Sequence, residues 1–318
     1  MNGRSPYSGF APGKLLLFGE HAAVFGYPAV GVSLDRGLRI SVTPADGISI
    51  RLARPAGGDV AAGLSAFAAF VADTLGSPAD DGPVSPAGGA ITVDSDLPIS
   101  SGFGSSAALC TAIAEWSLPD PQVSGHDRSA VWRRAHRLEA FFHGTPSGID
   151  TGLSSLGGVR TFRFSTPGAL PESAALSADL PALVVGAIPR ERSTRDLVAG
   201  VRSRLSTEPS TVRPIFDRLG ALADAAIGEL AAERNHAAGL APLVADAHHL
   251  LRDLGVSTPL TDGIIDRGVR AGALAGKLSG AGGGGAFYLV CPDAEVAARV
   301  AADLDGTLPP GSVCFHMG

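Results

Sequence analysis

The sequence predicts an α+β protein of two domains. Strand-length apolar runs and stretches of helical periodicity alternate along 318 residues without the regular βαβ period of a doubly wound sheet. A chain of this length that is 45% hydrophobic can bury two cores. The apolar run at 183–188 reads as a strand opening the second, so the domains are taken as residues 1–180 and 181–318.

The elements follow in order. Residues 14–18 form a short apolar run ending in Gly19-Glu20-His21, a buried strand that opens into a polar turn. Residues 29–32 and 38–43 read as strands, the second alternating in polarity, and 64–75 as a helix. Residues 76–89 are a Pro/Gly/Asp loop, and 90–95 a strand that feeds a glycine- and serine-rich loop at 100–106. A helix is expected over 107–116, and an amphipathic one over 127–142, where apolar positions recur at three and four residues. Gly144 and Pro146 then break it. Beyond the strand at 183–188, helical patterns cover 194–204, 212–233, 241–254 and 259–273. A strand at 286–290, a helix at 294–304 and a strand at 312–316 complete the chain. No internal repeat is visible.

Composition narrows the function. A net charge of -6 gives no basic face for nucleic acid or an anionic membrane. Cys110, Cys291 and Cys314 lack metal-ligand spacing and leave an odd count, as expected in a reducing compartment. With no basic-apolar leader and no run of about 18 uninterrupted apolar residues, a soluble cytoplasmic protein is expected. Of 25 basic residues only Lys14 and Lys277 are lysine, and both lie in glycine-bearing segments. That usage hints at sites needing a compact ammonium rather than a planar fork, more strongly for Lys14.

The junction from Ser100–Ser106 into the helix at 107 aims free backbone N–H groups and the positive end of a helix dipole at one point, an arrangement suited to phosphate. Gly102 and Gly104 permit close approach of an anion. The Ser105 and Ser106 hydroxyls can cap the helix, bond phosphate oxygens or ligate Mg²⁺. An ordinary serine-capped helix has the same sequence signature. The string from Gly102 to Ala107 also fits a dinucleotide fingerprint, but Pro98 and a serine pair stand where a buried strand should enter. Gly276-Lys277 lacks the spacing of a Walker loop.

A second polar cluster comprises Glu139, His143, Ser147 and Asp150, with the two carboxylates on different elements and free to converge. A Mg²⁺-nucleotide enzyme needs one carboxylate on the metal and another near the acceptor hydroxyl. Equally, Glu139 can lie on a solvated face paired with Arg134 or Arg137, and Asp150 can cap a helix. The Gly280–Gly285 run before a strand costs about 0.5–1 kcal/mol per glycine in chain entropy, which calls for close approach to a ligand or another segment. His248-His249 has no partner at ligand spacing and reads as structural.

The segments Pro12–His21, Pro98–Ala108 and Lys277–Gly285 resemble the three motifs of the GHMP kinases in order and spacing. Phe18–Gly26, Glu139–Asp150, Thr194–Val201 and His248–Gly255 are most similar to the mevalonate kinase family within that superfamily. The resemblance implies a two-domain GHMP kinase fold with an active-site cleft between the domains, and ATP- and Mg²⁺-dependent phosphorylation of the C5 hydroxyl of mevalonate. It also implies roles for individual residues. Asp150 would take or orient the hydroxyl proton, and Lys14 would neutralise developing charge. Ser106 and Glu139 would ligate Mg²⁺. Pro98, Ser101, Gly102, Gly104, Ser105 and Ser106 would hold the nucleotide phosphates. Glu20, His21, Thr194, Gly280 and Ala281 would contact substrate. The expected partner is a small molecule, not nucleic acid or a membrane, with a homodimer as the candidate assembly. Phosphomevalonate, the mevalonate 3-hydroxyl or a sugar remain alternative acceptors, and a non-catalytic ligand-binding homologue is the alternative from another class.

Overall fold

The computed structural model describes residues 6–54, 58–76, 88–97, 101–119, 127–166, 168–232 and 236–317. Its first half contains β1 (Tyr7–Phe18), β2 (Ala29–Pro44), β3 (Ile48–Leu52), α1 (Gly58–Gly76), β4 (Gly89–Ser95), α2 (Ser105–Trp116), α3 (Arg128–His143), α4 (Ile149–Leu156) and β5 (Val159–Arg163). There follow β6 (Glu172–Ala175), β7 (Leu183–Ile188), α5 (Thr194–Thr207), α6 (Pro209–Leu230), α7 (Ala237–Asp253), α8 (Pro259–Arg270), β8 (Ala275–Leu278), β9 (Gly285–Val290), α9 (Ala294–Asp305) and β10 (Val313–Met317). Mixed helices and sheets make this an α+β fold, as the interleaved pattern predicts. The loop expected after Gly76 falls, at 77–87, outside the described residues.

Two compact units are each assembled from separated segments: Met1–Lys14, Ser33–Leu97 and Gly104–Gly157 in the first, Leu15–Val32, Pro98–Phe103 and Gly158–Gly318 in the second. The strands expected at 29–32 and 38–43 are one continuous strand, β2. Asp35-Arg36 interrupts the apolar pattern at exposed positions without bending the chain out of extended backbone.

In the first unit, Leu38–Pro44 of β2 runs antiparallel to β4, and β3 runs parallel to β4. Leu38, Ile40 and Val42 point into the core while Arg39, Ser41 and Thr43 are exposed, the period of two that a one-sided sheet requires. Onto that face pack Phe67 and Val71 of α1, most of α2, and Val131, Ala135 and Leu138 of α3. The Phe67 ring meets Phe141 and Phe142 at 5.2 and 4.7 Å. By length and composition alone, Asp59–Gly76 of α1 would suffice to cross a membrane. Here its apolar stripe is instead part of this core.

In the second unit, β7 and β9 are buried at every position. They form the centre of an antiparallel sheet ordered β10-β7-β9-β8. Ile264 of α8 and Ala297, Val300 and Leu304 of α9 cover it. Also in this unit, Ala29–Val32 of β2 pairs with β5, and β5 pairs with β6.

Candidate active site

Lys14 stands near the end of β1 and Asp150 in the first turn of α4. The Lys14 ammonium lies 3.1 Å from the Asp150 carboxylate. Lys14 is almost fully buried and Asp150 about one-third exposed, so the carboxylate keeps an open side. Three bonds set this geometry. The Ser154 hydroxyl donates to Pro12 O at 2.7 Å, tying α4 to the strand that carries Lys14. Trp132 Nε1 and the Thr151 hydroxyl both donate to Gly148 O, at 2.8 and 3.2 Å, which fixes the start of α4. Asp150 is not a cap: the N-cap position is Gly148.

Gly104 lets the loop approach Lys14. Its φ is +75°, and a Cβ there would stand 2.8 Å from Lys14 Cγ. Gly104 is also the N-cap of α2, with no side-chain cap hydrogen bond. Ser105 and Ser106 therefore lie in the first turn of α2 and not at its cap position. Ser106 Oγ is 3.4 Å from His143 Nε2, which is also 3.9 Å from Glu139 Oε1, so the imidazole reaches both the hydroxyl and the carboxylate.

Glu139 does not occupy a solvated helix face. It is 1% exposed, and neither carboxylate oxygen has a hydrogen-bond partner among the described residues. Burial first, then the adjacent Asp150 charge, pushes its pKa up to about 8 against the opposing pull of Lys14. A buried carboxylate so placed suits a cation ligand. Among the described residues no three His, Cys, Asp or Glu side chains converge as a metal cage. One acid and one hydroxyl fit Mg²⁺, which takes few protein ligands and completes its shell with phosphate oxygens and water.

The second unit gathers Glu20, His21, Gly280 and Ala281. Glu20 is paired with Lys277, and both are buried. Burial pushes the Glu20 carboxyl up and the Lys277 ammonium down, and each opposes the other's shift through its charge. His21 Nε2 lies 3.0 Å from Ala281 O, and burial lowers the imidazole's pKa. Thr194 opens α5 and accepts a hydrogen bond from the Arg190 guanidinium. Ser101 is buried and its hydroxyl accepts from Phe103 N at 3.4 Å. The Gly102 backbone passes close enough to Arg190 that a Cβ would stand 3.0 Å from the guanidinium. Pro98 lies outside the described residues.

Sequence reasoning did not select Arg190, one of many arginines, nor give His143 a function. It also weighted Lys277 below Lys14, although rare lysine usage was a usable signal for both.

Comparison with known proteins extends these observations. Residues 64–158 match the GHMP kinases N terminal domain, and residues 226–309 the GHMP kinases C terminal model. The mevalonate kinase of Methanothermobacter thermautotrophicus is 31% identical, with 90% of each chain covered. That of Archaeoglobus fulgidus is 32% identical over 87% of this chain and 90% of its own. Among solved structures, L. major mevalonate kinase in complex with R-mevalonate has the same fold. Its TM-score is 0.80 at 24% identity, covering 98% of this chain and 95% of the other. Streptococcus pneumoniae phosphomevalonate kinase shares the fold at a TM-score of 0.74 and 15% identity, with 99% of each chain covered. The chain belongs to the GHMP kinase family.

Proposed function

We propose that the protein transfers the γ-phosphoryl group of ATP to the C5 hydroxyl of mevalonate, with Mg²⁺ as cofactor, as a cytoplasmic enzyme of isoprenoid precursor synthesis. The observation that carries this reading is the Lys14–Asp150 contact beside the buried Glu139 carboxylate. Asp150 accepts a hydrogen bond from the acceptor hydroxyl, which holds a lone pair toward phosphorus and gives the departing proton a destination. The Lys14 ammonium neutralises negative charge as it moves onto the transferring oxygens. Glu139 and the Ser106 hydroxyl would hold Mg²⁺. Bound there, the ion would supply Lewis-acid neutralisation of the nucleotide phosphates. The N–H groups at the start of α2 and the loop at 101–104 bind phosphate. His21, Thr194, Gly280 and Ala281 contact the acceptor. Glu20 shapes that contact through Lys277 and the turn it carries.

Phosphoryl transfer calls for positioning and charge neutralisation more than for covalent chemistry, so these few groups suffice. Purified protein incubated with Mg-ATP and mevalonate should release ADP and form the 5-phosphate. Turnover with phosphomevalonate or galactose and none with mevalonate would refute the acceptor assignment while leaving the kinase chemistry. No turnover with any of them would refute both.

A further inference from the structure

Lys277 is fully buried on β8, and its ammonium places every proton. It donates to Glu20, to Leu17 O at 3.1 Å and to Leu278 O at 2.8 Å, and lies over the rings of Phe18 and Tyr288 at 5.6 and 5.4 Å. Two residues after Lys277, the Ser279 hydroxyl donates to Leu16 O at 2.8 Å and accepts from Leu16 N at 3.2 Å. Two residues further on, His21 meets Ala281 O at 3.0 Å. The end of β1 with the turn after it, and the segment from Lys277 to Ala281, are thus tied together at three residues of that segment: Lys277, Ser279 and Ala281.

The chain between them turns sharply. Gly19 has a φ of +105°, with Ala29 Cβ only 2.4 Å from where a Cβ would be. His21 has a φ of +57° and is the one non-glycine residue in the left-handed region among those described. Such a conformation persists only where its surroundings impose it. A buried ion pair is a poor source of stability, because desolvation offsets its attraction and apolar residues of equal volume serve as well. A pair retained beside a strained histidine therefore requires another explanation.

We infer that Lys277 is a positioning residue for the acceptor site: through Glu20 it holds His21 in its left-handed conformation and aims the imidazole at the glycine-rich segment. The inference rests on the proposed reading of His21 and Ala281 as acceptor contacts. The ammonium also makes the arrangement specific to lysine. Its three donors reach Glu20 and two backbone carbonyls from one point, which a planar guanidinium cannot do.

The test compares wild type, Lys277→Met and the double variant Lys277→Met/Glu20→Met, in which neither charge remains to be left unpaired. The double variant is expected to melt near the wild-type temperature. Its KM for mevalonate should rise about ten-fold or more, while its KM for ATP stays within about two-fold. Histidine side-chain NMR on the unliganded proteins gives a readout independent of turnover. The His21 ring signal should move to that of a solvated imidazole and titrate nearer its ordinary range in both variants. A double variant with wild-type melting, wild-type mevalonate KM and an unmoved His21 signal would show Lys277 to be structural only. If wild type fails to phosphorylate mevalonate, the acceptor reading fails, and the NMR comparison still decides the positioning role. Lys277→Gln, which keeps one amide donor for Glu20, is judged by the same outcomes if the methionine variants do not fold.

Discussion

Replacing Glu139 by glutamine tests the electrostatics of the first cluster without changing its shape. The folded protein raises this carboxyl from 4.5 to about 8. Below the unfolded value both states hold the proton and the group contributes nothing. Between 4.5 and about 8 the unfolded chain releases a proton that the folded chain keeps, so unfolding free energy falls as pH rises. At about 1.4 kcal/mol per pH unit, the ceiling on this loss is about 5 kcal/mol. Glutamine does not titrate. Urea unfolding in EDTA at pH 5, 6.5 and 8 should show Glu139→Gln gaining on wild type by up to about 4 kcal/mol between the first and last condition. The same variant should lose at least about 100-fold in kcat with Mg-ATP, since an amide cannot supply the anionic ligand. If the stability difference between the two proteins stays constant from pH 5 to pH 8, the carboxyl is not raised and the cation-site argument fails.

Further substitutions probe the neighbouring parts. Asp150→Asn should abolish turnover, by about 10³-fold or more, while fluorescent-nucleotide titration shows unchanged ATP affinity. Loss of nucleotide binding would instead mark Asp150 as part of the phosphate site. Gly104→Ala adds a Cβ 2.8 Å from Lys14 Cγ at a φ of +75°. It should cost about 1–2 kcal/mol in thermal unfolding and lower kcat more than about ten-fold by displacing Lys14 from Asp150. His248 is held neutral, its pKa lowered by burial from 6.5 to about 4 despite Asp262 at 3.1 Å. Stability should therefore fall as pH drops from 6.5 toward 4. His248→Gln should flatten that acid limb by up to about 3 kcal/mol, and an unchanged limb would contradict the assignment.

Much of this was legible where a local signal exists. The apolar run at 183–188 matches β7, since a strand buried on both faces shows no alternation to obscure it. Gly144 and Pro146 mark the break between α3 and α4, and that break puts Glu139 and Asp150 on separate helices. Other elements carry no local signal. β8 is four residues, Ala-Gly-Lys-Leu, too short for periodicity to mark, and its lysine is buried against Glu20, which is far away in sequence. β3, β5 and β6 are short and gain their order from pairing with β4 and with one another. The burial of Glu139 was not legible either, because arginines flank it in sequence while its surroundings come from α4 and Lys14. Long-range contacts decide such positions, and spacing along the chain does not encode them.

Coupled measurement of ADP release tests most directly whether mevalonate is the acceptor of this kinase. Purified protein with Mg-ATP should turn over mevalonate far faster than phosphomevalonate, homoserine or galactose. The product should carry phosphate on the C5 oxygen, and Asp150→Asn should be inactive. Preference for another acceptor, phosphate on the C3 oxygen, or an Asp150→Asn variant with wild-type kcat would contradict it.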